Sequence, residues 1–384
     1  MSNVLTALDF EKWEADTQAL LEERSIFMDL ASMRDAKGKK IIHNPYYVRG
    51  QVHTYTKGND VTDNDIISVA DDMDTFVSKE YTWVYDETEA LDTMYNVAMD
   101  QRELAAYQLS MDMEKAFFEE YINATHSSAD VTLATTGAFT PSRVFGTGNA
   151  TLTNTGADDR ALVTVVDPFT LVDIQEYVTT NGFQVSDETI KRGYQGMFAG
   201  NPLYKSSSLI ATGTLTPAAN FSANDTITIN GVVFTAKAVP ANAGEFDIGA
   251  SLAASLTILA NAINGAATGK DTDTGYFEVS AEDREALSGI DATATATNLA
   301  IKMRGYRTVS SSINKWGAIV VNNIIMARGA IDFALRSPVK LVSEKVQKQF
   351  ATRFSAWCNY GKKTFAQNKK RMYVVPTVRQ AAES

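Results

Sequence analysis

The sequence is short of almost everything that covalent or metal chemistry needs. Among 384 residues there is one cysteine, Cys358, so no internal disulfide can form. The three histidines, His43, His53 and His126, are scattered and have no zinc-ligand spacing. No phosphate-binding loop, nucleophile elbow or dinucleotide fingerprint occurs. Gly193, Gly196 and Gly200 are wrongly spaced to cradle a phosphate and read as turn glycines. Asp271-Thr272-Asp273-Thr274-Gly275 resembles the start of a calcium loop, but its glycine is fifth rather than sixth. It reads as a solvated acidic loop, and no catalytic residue, metal or cofactor is expected. No run approaches the ~18 apolar residues of a membrane span, so no membrane partner is expected. The opening MSNVLTALDFEKWEAD lacks the basic and then apolar regions of a signal peptide. With so little cysteine, folding in a reducing cytoplasm is expected.

What is present is a core-forming chain with an uneven charge. Hydrophobic residues make up 45%, enough to pack a core. Length suggests about two or three domains at ~150 residues each. The net charge is 35 − 46 = −11, which argues against a dedicated DNA-binding domain. Residues 340–371 carry nine basic groups against Glu344, a sum of +8, whereas the first 36 residues carry 3 − 8 = −5. These are either two solvated faces, or an acidic arm and a basic face that meet between copies, or a basic face that meets nucleic acid.

Residues 1–36 read as an amphipathic helical arm. From 40 to 85 the chain reads as extended, with Tyr46, Tyr47, Val48, Val52 and Tyr55 as strand formers and a turn at Lys57-Gly58-Asn59-Asp60. Tyr81-Thr82-Trp83-Val84-Tyr85 is a second extended piece. A two-stranded excursion of this kind needs another surface to lie on, which marks Tyr47, Val52, Tyr55, Lys57, Asn59 and Trp83 as candidate subunit contacts.

A long helix is expected over 87–123, about 55 Å at 1.5 Å per residue. Leu91, Tyr95, Ala98, Ala105, Leu109, Met113 and Ala116 form its stripe, and no Pro or Gly interrupts it. A coiled coil competes with this reading, although Arg102 and Glu119-Glu120 break a strict heptad. Ala161–Val166 is a buried-strand run, after which Pro168 opens a helix. From about Thr212 to Lys302 the composition shifts towards Ala, Thr, Asn, Gly and Asp. That stretch predicts a hairpin about Asn230-Gly231, a helix over 252–263 and strands at 276–280 and 299–303: a small α+β insertion. A short helix is expected at 324–330, a strand at 349–360 ended by Gly361, and a last strand at 372–375 closed by Pro376.

The order of these pieces resembles the tailed-phage major capsid proteins of the Hong Kong 97 type. It is carried by VTVVDPFTLVDIQEYV, then IKRGYQGMFAGNPLYKSSSL, then FSAWCNYGKKTFAQNKKRMYVV, with Tyr360-Gly361-Lys362-Lys363 as the aromatic-Gly pair before basic residues. The resemblance covers most of residues 1–211 and 305–376, and 212–304 departs from the minimal pattern as an insertion domain does. It implies an α+β fold with an N-terminal arm (1–40), an E-loop and the start of the peripheral (P) domain (41–85), and a P domain with spine helix (86–159). The axial (A) domain would be 160–211 and 305–335, the insertion domain 212–304, and the P-domain return and C-terminus 336–384.

It also implies a non-enzymatic coat protein that forms pentamers and hexamers in an icosahedral head enclosing double-stranded DNA. Assembly would occur in the bacterial host cytoplasm. Implied partners are other copies, a scaffolding protein, a portal, an optional decoration protein and sequence-blind contact with packaged DNA. Lys362 and Lys363 would lie at a subunit interface. A tail or fibre component is the alternative, favoured by the Thr/Asn/Gly-rich insertion.

Overall fold

The computed structural model describes residues 26–36, 38–47, 53–54, 57, 68–86, 97–128, 131–132, 140–156, 161–180, 194–346 and 351–383. The chain divides into two units, Met1–Asn123 with Arg328–Arg371 and Ala124–Ala327 with Met372–Ser384.

The first unit is built on a four-stranded sheet in the order Ser32–Met33, Asp332–Lys345, Ala351–Lys363, Val77–Asp86. Alternation along Ala351–Lys363 sets its two faces. Ala356, Cys358 and Tyr360 are buried, as the sequence pattern expects, while Arg353 is exposed. The helix Val97–Phe118 lies against this sheet, and Ala105, Leu109, Met113 and Ala116 are all buried along its stripe. At ~2 kcal/mol per large side chain, this stripe fixes the helix more strongly than its intrinsic propensity does. Phe27, Phe117, Phe333 and Tyr360 complete the core: Phe27 sits 5.6 Å from Phe117 and 4.7 Å from Phe333, and Phe333 stacks on Tyr360 at 5.2 Å. The helix tightens into a 3-10 turn at Glu119–Asn123, and its expected first turns, residues 87–96, lie outside the described residues.

In the second unit one strand organises the rest. Ile319–Ala327 pairs along one edge with Met372–Gln380. Its other edge is shared: Ile324–Ala327 pairs with Leu162–Val165, and Val320–Val321 with Ala211–Thr212. The two neighbours diverge at Asn322-Asn323, where side chains close the fork. Asn322 donates to the Ile210 carbonyl at 3.2 Å, and Asn323 accepts from the Asp167 amide at 2.9 Å. Asn323, fully buried, also donates to Thr377 Oγ1 at 3.0 Å, Thr170 Oγ1 at 3.2 Å and the Val375 carbonyl at 3.3 Å. The resulting ten-stranded sheet runs Tyr194–Phe198, Asn201–Lys205, Leu162–Val166, Ile319–Ala327, Ile210–Leu215, Leu299–Arg304, Ile290–Ala294, with Met372–Gln380, His126–Ser127 and Val131–Thr132 off that path. The helices Pro141–Asn154 and Pro168–Thr180 pack Phe145, Leu152, Leu171 and Ile174 onto it. Pro168 opens its helix as expected.

A second, four-stranded sheet joins Glu245–Asp247, Val232–Lys237, Thr226–Ile229 and Val309–Ser311. The Asn230-Gly231 hairpin forms as expected, with φ of 50° and 87° matching the turn that suits a twisted ribbon. The helix Leu252–Asn264 also matches: Leu256, Leu259 and Ile263 are buried, Ser251 caps its start and Gly265, at φ 64°, ends it.

Several expectations differ from the structure. Residues 324–330 are not a helix: Ile324–Ala327 finishes the organising strand, because neighbours on both edges let a continuous apolar run be buried as a strand. Gly361 does not end its strand, which continues to Lys363; it admits the chain at Asp74 and Thr75, where a Cβ would come within 2.5 Å of the Asp74 carbonyl oxygen. Pro376 does not close the last strand either. It sits within that strand, opposite Asn322. Residues 276–280 make only an isolated bridge between Tyr276 and Phe246 or Lys270. Gly196 lies in a strand, at φ 89° beside a register shift, so it serves a bulge rather than a turn, whereas Ala199-Gly200 is the turn. Gly193 lies outside the described residues.

The unit boundaries also fall elsewhere. Residues 124–159 join the second unit because Phe145 and Leu152 pack there, Arg328 onward belongs to the first, and Met372 onward returns to the second. Residues 212 and 304 lie inside paired strands, Ile210–Leu215 against Leu299–Arg304, so the large sheet runs through both expected edges of the insertion.

Asn323→Leu removes the group that closes the fork and orphans the buried Asp167 amide. It should cost about 2–4 kcal/mol in urea unfolding, well above a surface change. A loss under ~0.5 kcal/mol would mean the fork closes without it.

Candidate assembly surfaces

The residues expected to meet other copies spread over the extended arm and the first unit. Ile41–His43 pairs antiparallel with Asp72–Asp74, and Tyr46–Tyr47 with Ser68–Val69, whereas the expected second piece, Tyr81–Tyr85, pairs with Ala351–Lys363 in the sheet of the first unit instead. Tyr47 lies opposite Ser68 in the second ladder, and Lys57 is exposed in a turn. Val52, Tyr55 and Asn59 lie outside the described residues. Trp83 is in the sheet of the first unit, opposite Phe354 and stacked on it at 5.7 Å, with Tyr81 at 5.8 Å.

Lys362 and Lys363, read as contacts to another copy, both have partners in their own unit. Lys362 Nζ lies 2.5 Å from the Ala116 carbonyl and 3.0 Å from Glu119. It therefore serves the end of the long helix, where orphan carbonyls and the helix dipole favour a cation. Beside it, Glu120 accepts from the Thr364 amide at 2.9 Å. Lys363 pairs with Asp71 at 2.5 Å, and the other Asp71 oxygen accepts from the Ala366 amide at 2.7 Å. Burial works to raise the Asp71 carboxyl, but the hydrogen bonds from Lys363 and Ala366 and the nearby Lys363 and Lys369 charges overcome it and hold it below its ordinary value. Lys79 meets Asp112 at 3.1 Å, again joining sheet to helix. Arg34 reaches buried Asp332 at 2.6 Å. Among the described residues, the acids that answer these cations are Asp71, Asp112, Glu119 and Asp332.

Cys358 is buried, and burial, helped by Asp112, pushes its thiol up to about 12, so it remains an unreactive thiol. No metal-holding group of His, Cys, Asp or Glu occurs among the described residues.

Exposed apolar groups that the sequence reading passed over mark other surfaces. On the first unit Phe76 is 52% exposed, with the Arg336 guanidinium 4.9 Å and the Lys40 ammonium 5.8 Å from its ring. Val84 and Val342 stand on the open face of the sheet, among the hydrogen-bonded pairs Ser78–Asn359 and Thr82–Ser355. On the second unit Phe169 and Val172 lie exposed on the Pro168–Thr180 helix, Phe169 edge-on to Tyr306 at 5.5 Å. Their three-residue spacing, out of phase with buried Leu171 and Ile174, was the available signal.

No family model and no curated protein matches the chain. Solved structures do. One from Mycobacterium phage Che8 matches 91% of this chain and 90% of its own at TM-score 0.51 and 10% identity. The capsid structure of cyanophage P-SCSP1u matches 94% and 89% at TM-score 0.50 and 12% identity. The mature capsid of bacteriophage PhiM1 matches 92% and 87% at TM-score 0.50 and 11% identity. The fold is therefore the mixed α+β fold found in phage capsid structures, carried over nearly the full length of both partners.

Lys363→Met should cost about 0.5–1 kcal/mol at neutral pH, the pair being partly exposed. Because the Asp71 carboxyl is depressed when folded, that contribution is present above its ordinary value of 3.8 and is lost as the pH falls through the lower folded value. Urea titrations of both proteins from neutral pH downward should converge in the acid range. A constant gap would deny the Asp71 pairing.

Proposed function

We propose that this chain is the major capsid protein of a tailed phage, a shell subunit and not an enzyme. The observation that carries this is the likeness to phage capsid structures across 91–94% of the chain. Function is then geometric. Copies form pentamers and hexamers that tile an icosahedral head around double-stranded DNA, and many modest contacts within closed symmetry supply the strength.

In this reading the first unit is the peripheral domain, with Val97–Phe118 as its spine, and the second holds the axial domain. The excursion 41–74 is the E-loop, lying on a neighbouring copy, with Tyr47, Val52, Tyr55, Lys57 and Asn59 on it. A scaffolding protein and a portal complete the assembly, which takes place in the host cytoplasm, and a decoration protein is an optional partner. Packaged DNA meets cations that the fold leaves uncommitted, in a sequence-blind and salt-dependent way.

Expressed alone and viewed by negative-stain microscopy, the protein should give shells or capsomere rings; tubes or fibres would make it a tail or fibre component. Deleting 46–69, which spares the sheet strand Val77–Asp86, should leave a subunit that melts cooperatively but does not assemble by light scattering. Normal shells from that variant would remove the E-loop from the account.

A further inference from the structure

A strand at the end of a sheet offers a row of N–H and C=O groups with which an extended segment of another copy can pair. A chain that must reach high local concentration to assemble has particular reason to close such rows. In two strands of the second unit side chains meet that row by the same chemistry, along the first and at the middle of the second.

The first is Val309–Ser311, the end strand of the smaller sheet. Its inner side pairs with Thr226–Ile229, the Asn230 amide reaching the Thr308 carbonyl and the Ser312 amide the Thr226 carbonyl. Its outer side faces residues 380–383. Gln380 accepts from the Val309 amide at 3.2 Å and donates to the Val309 carbonyl at 2.5 Å, the two bonds a neighbouring strand would make. Glu383 takes the Ser311 amide at 2.8 Å and the Ser311 hydroxyl at 2.6 Å. It is held in place by the Trp316 amide at 3.0 Å and by its own amide on the Trp316 carbonyl at 2.9 Å. The Ser311 carbonyl receives the Asn314 amide, so the outward row is filled.

The second is Ile290–Ala294, the last strand of the large sheet beyond Leu299–Arg304. Here Asn264 accepts from the Ala292 amide and donates to the Ala292 carbonyl, both at 2.8 Å. The Ile290 amide turns to the Leu287 carbonyl. Asn264 ends its helix beside left-handed Gly265, and Arg284 donates to the Ile263 and Ala262 carbonyls at 2.6 and 2.8 Å, fixing that end of the helix.

We propose that Asn264, Gln380 and Glu383 are edge plugs: side chains that take the place of a further strand at these two edges, so that copies of this chain do not add strands there. A carboxamide suits the task because it presents one donor and one acceptor in a plane, as a peptide group does. A second copy, pairing edge to edge or edge to extended segment, is the partner kept out. The proposal rests on the proposed function only where shells are the readout.

The double variant Asn264→Leu, Gln380→Leu tests it. Its far-UV circular dichroism should stay native. Thioflavin-binding aggregate should form on the order of tenfold faster than in the wild type, the factor an orphaned backbone pair is worth. Leu259→Ala, a core change that leaves the plugs intact, should lower the melting temperature without that rise. A wild-type aggregation rate in the double variant, or an equal rise in Leu259→Ala, would overturn the proposal. Should the double variant fail to fold, Gln380→Glu keeps the acceptor for the Val309 amide and loses the donor to its carbonyl. It should give a smaller rise on an intact fold, and no rise would equally overturn the idea. Thioflavin binding is read on the unassembled protein, so it decides the matter even if microscopy shows no shells.

Discussion

Ile319–Ala327 has two edges and three neighbours, and the second unit is organised around how that is reconciled. A strand can hand one edge from one neighbour to another only where the backbone groups in the gap find other partners, since an unpaired buried group costs as much as a lost hydrogen bond. Asn322 and Asn323 supply them. Asn323 ties the end of Leu162–Val166, the start of the helix that follows and the strand Met372–Gln380 to one point. Asp167, at that helix start, accepts from the Phe169 amide at 3.0 Å and receives Arg379. The junction is thus a buried polar network in which the Asn323 amide and the Asp167 carboxylate are both paired, and such pairing favours one arrangement.

The first unit depends on a different device. Its long helix is joined to the sheet by an aromatic core and, at the edge of that core, by lysines of the sheet: Lys362 meets the helix end and Lys79 meets Asp112. Lys363 holds Asp71 in the same unit. Two of the nine cations that look in the sequence like a basic face, Lys362 and Lys363, are therefore used within the unit. These internal pairs hold the shape of the unit.

Local signals were legible where the chemistry is local. Asn230-Gly231 sets its hairpin because both positions take φ above zero without strain, and Ser251 with Gly265 brackets a helix whose apolar face repeats at 3.6 residues. Pro168 opens a helix because its missing N–H would have been an orphan in any case. The same residue types misled where the neighbourhood decides. Gly361 is a glycine because another stretch of chain passes close by, and Pro376 lies inside a strand whose pairing runs on past it. Neither the passing chain nor the pairing is a property of the residues around them in sequence.

The sequence by itself determined the class of the fold and the order of its parts: an extended arm, a long helix, a buried strand leading into a helix, and an absence of catalytic motifs. These follow from periodicity, turn chemistry and composition, which act over a few residues. Only the tertiary structure decided where the units divide, which lysines are internal, that the region from 212 to 304 is sewn into the large sheet, and which side chains close its edges. Each of those depends on pairing between residues far apart in the chain. A strand's own pattern says which face is buried, but not which strand lies beside it.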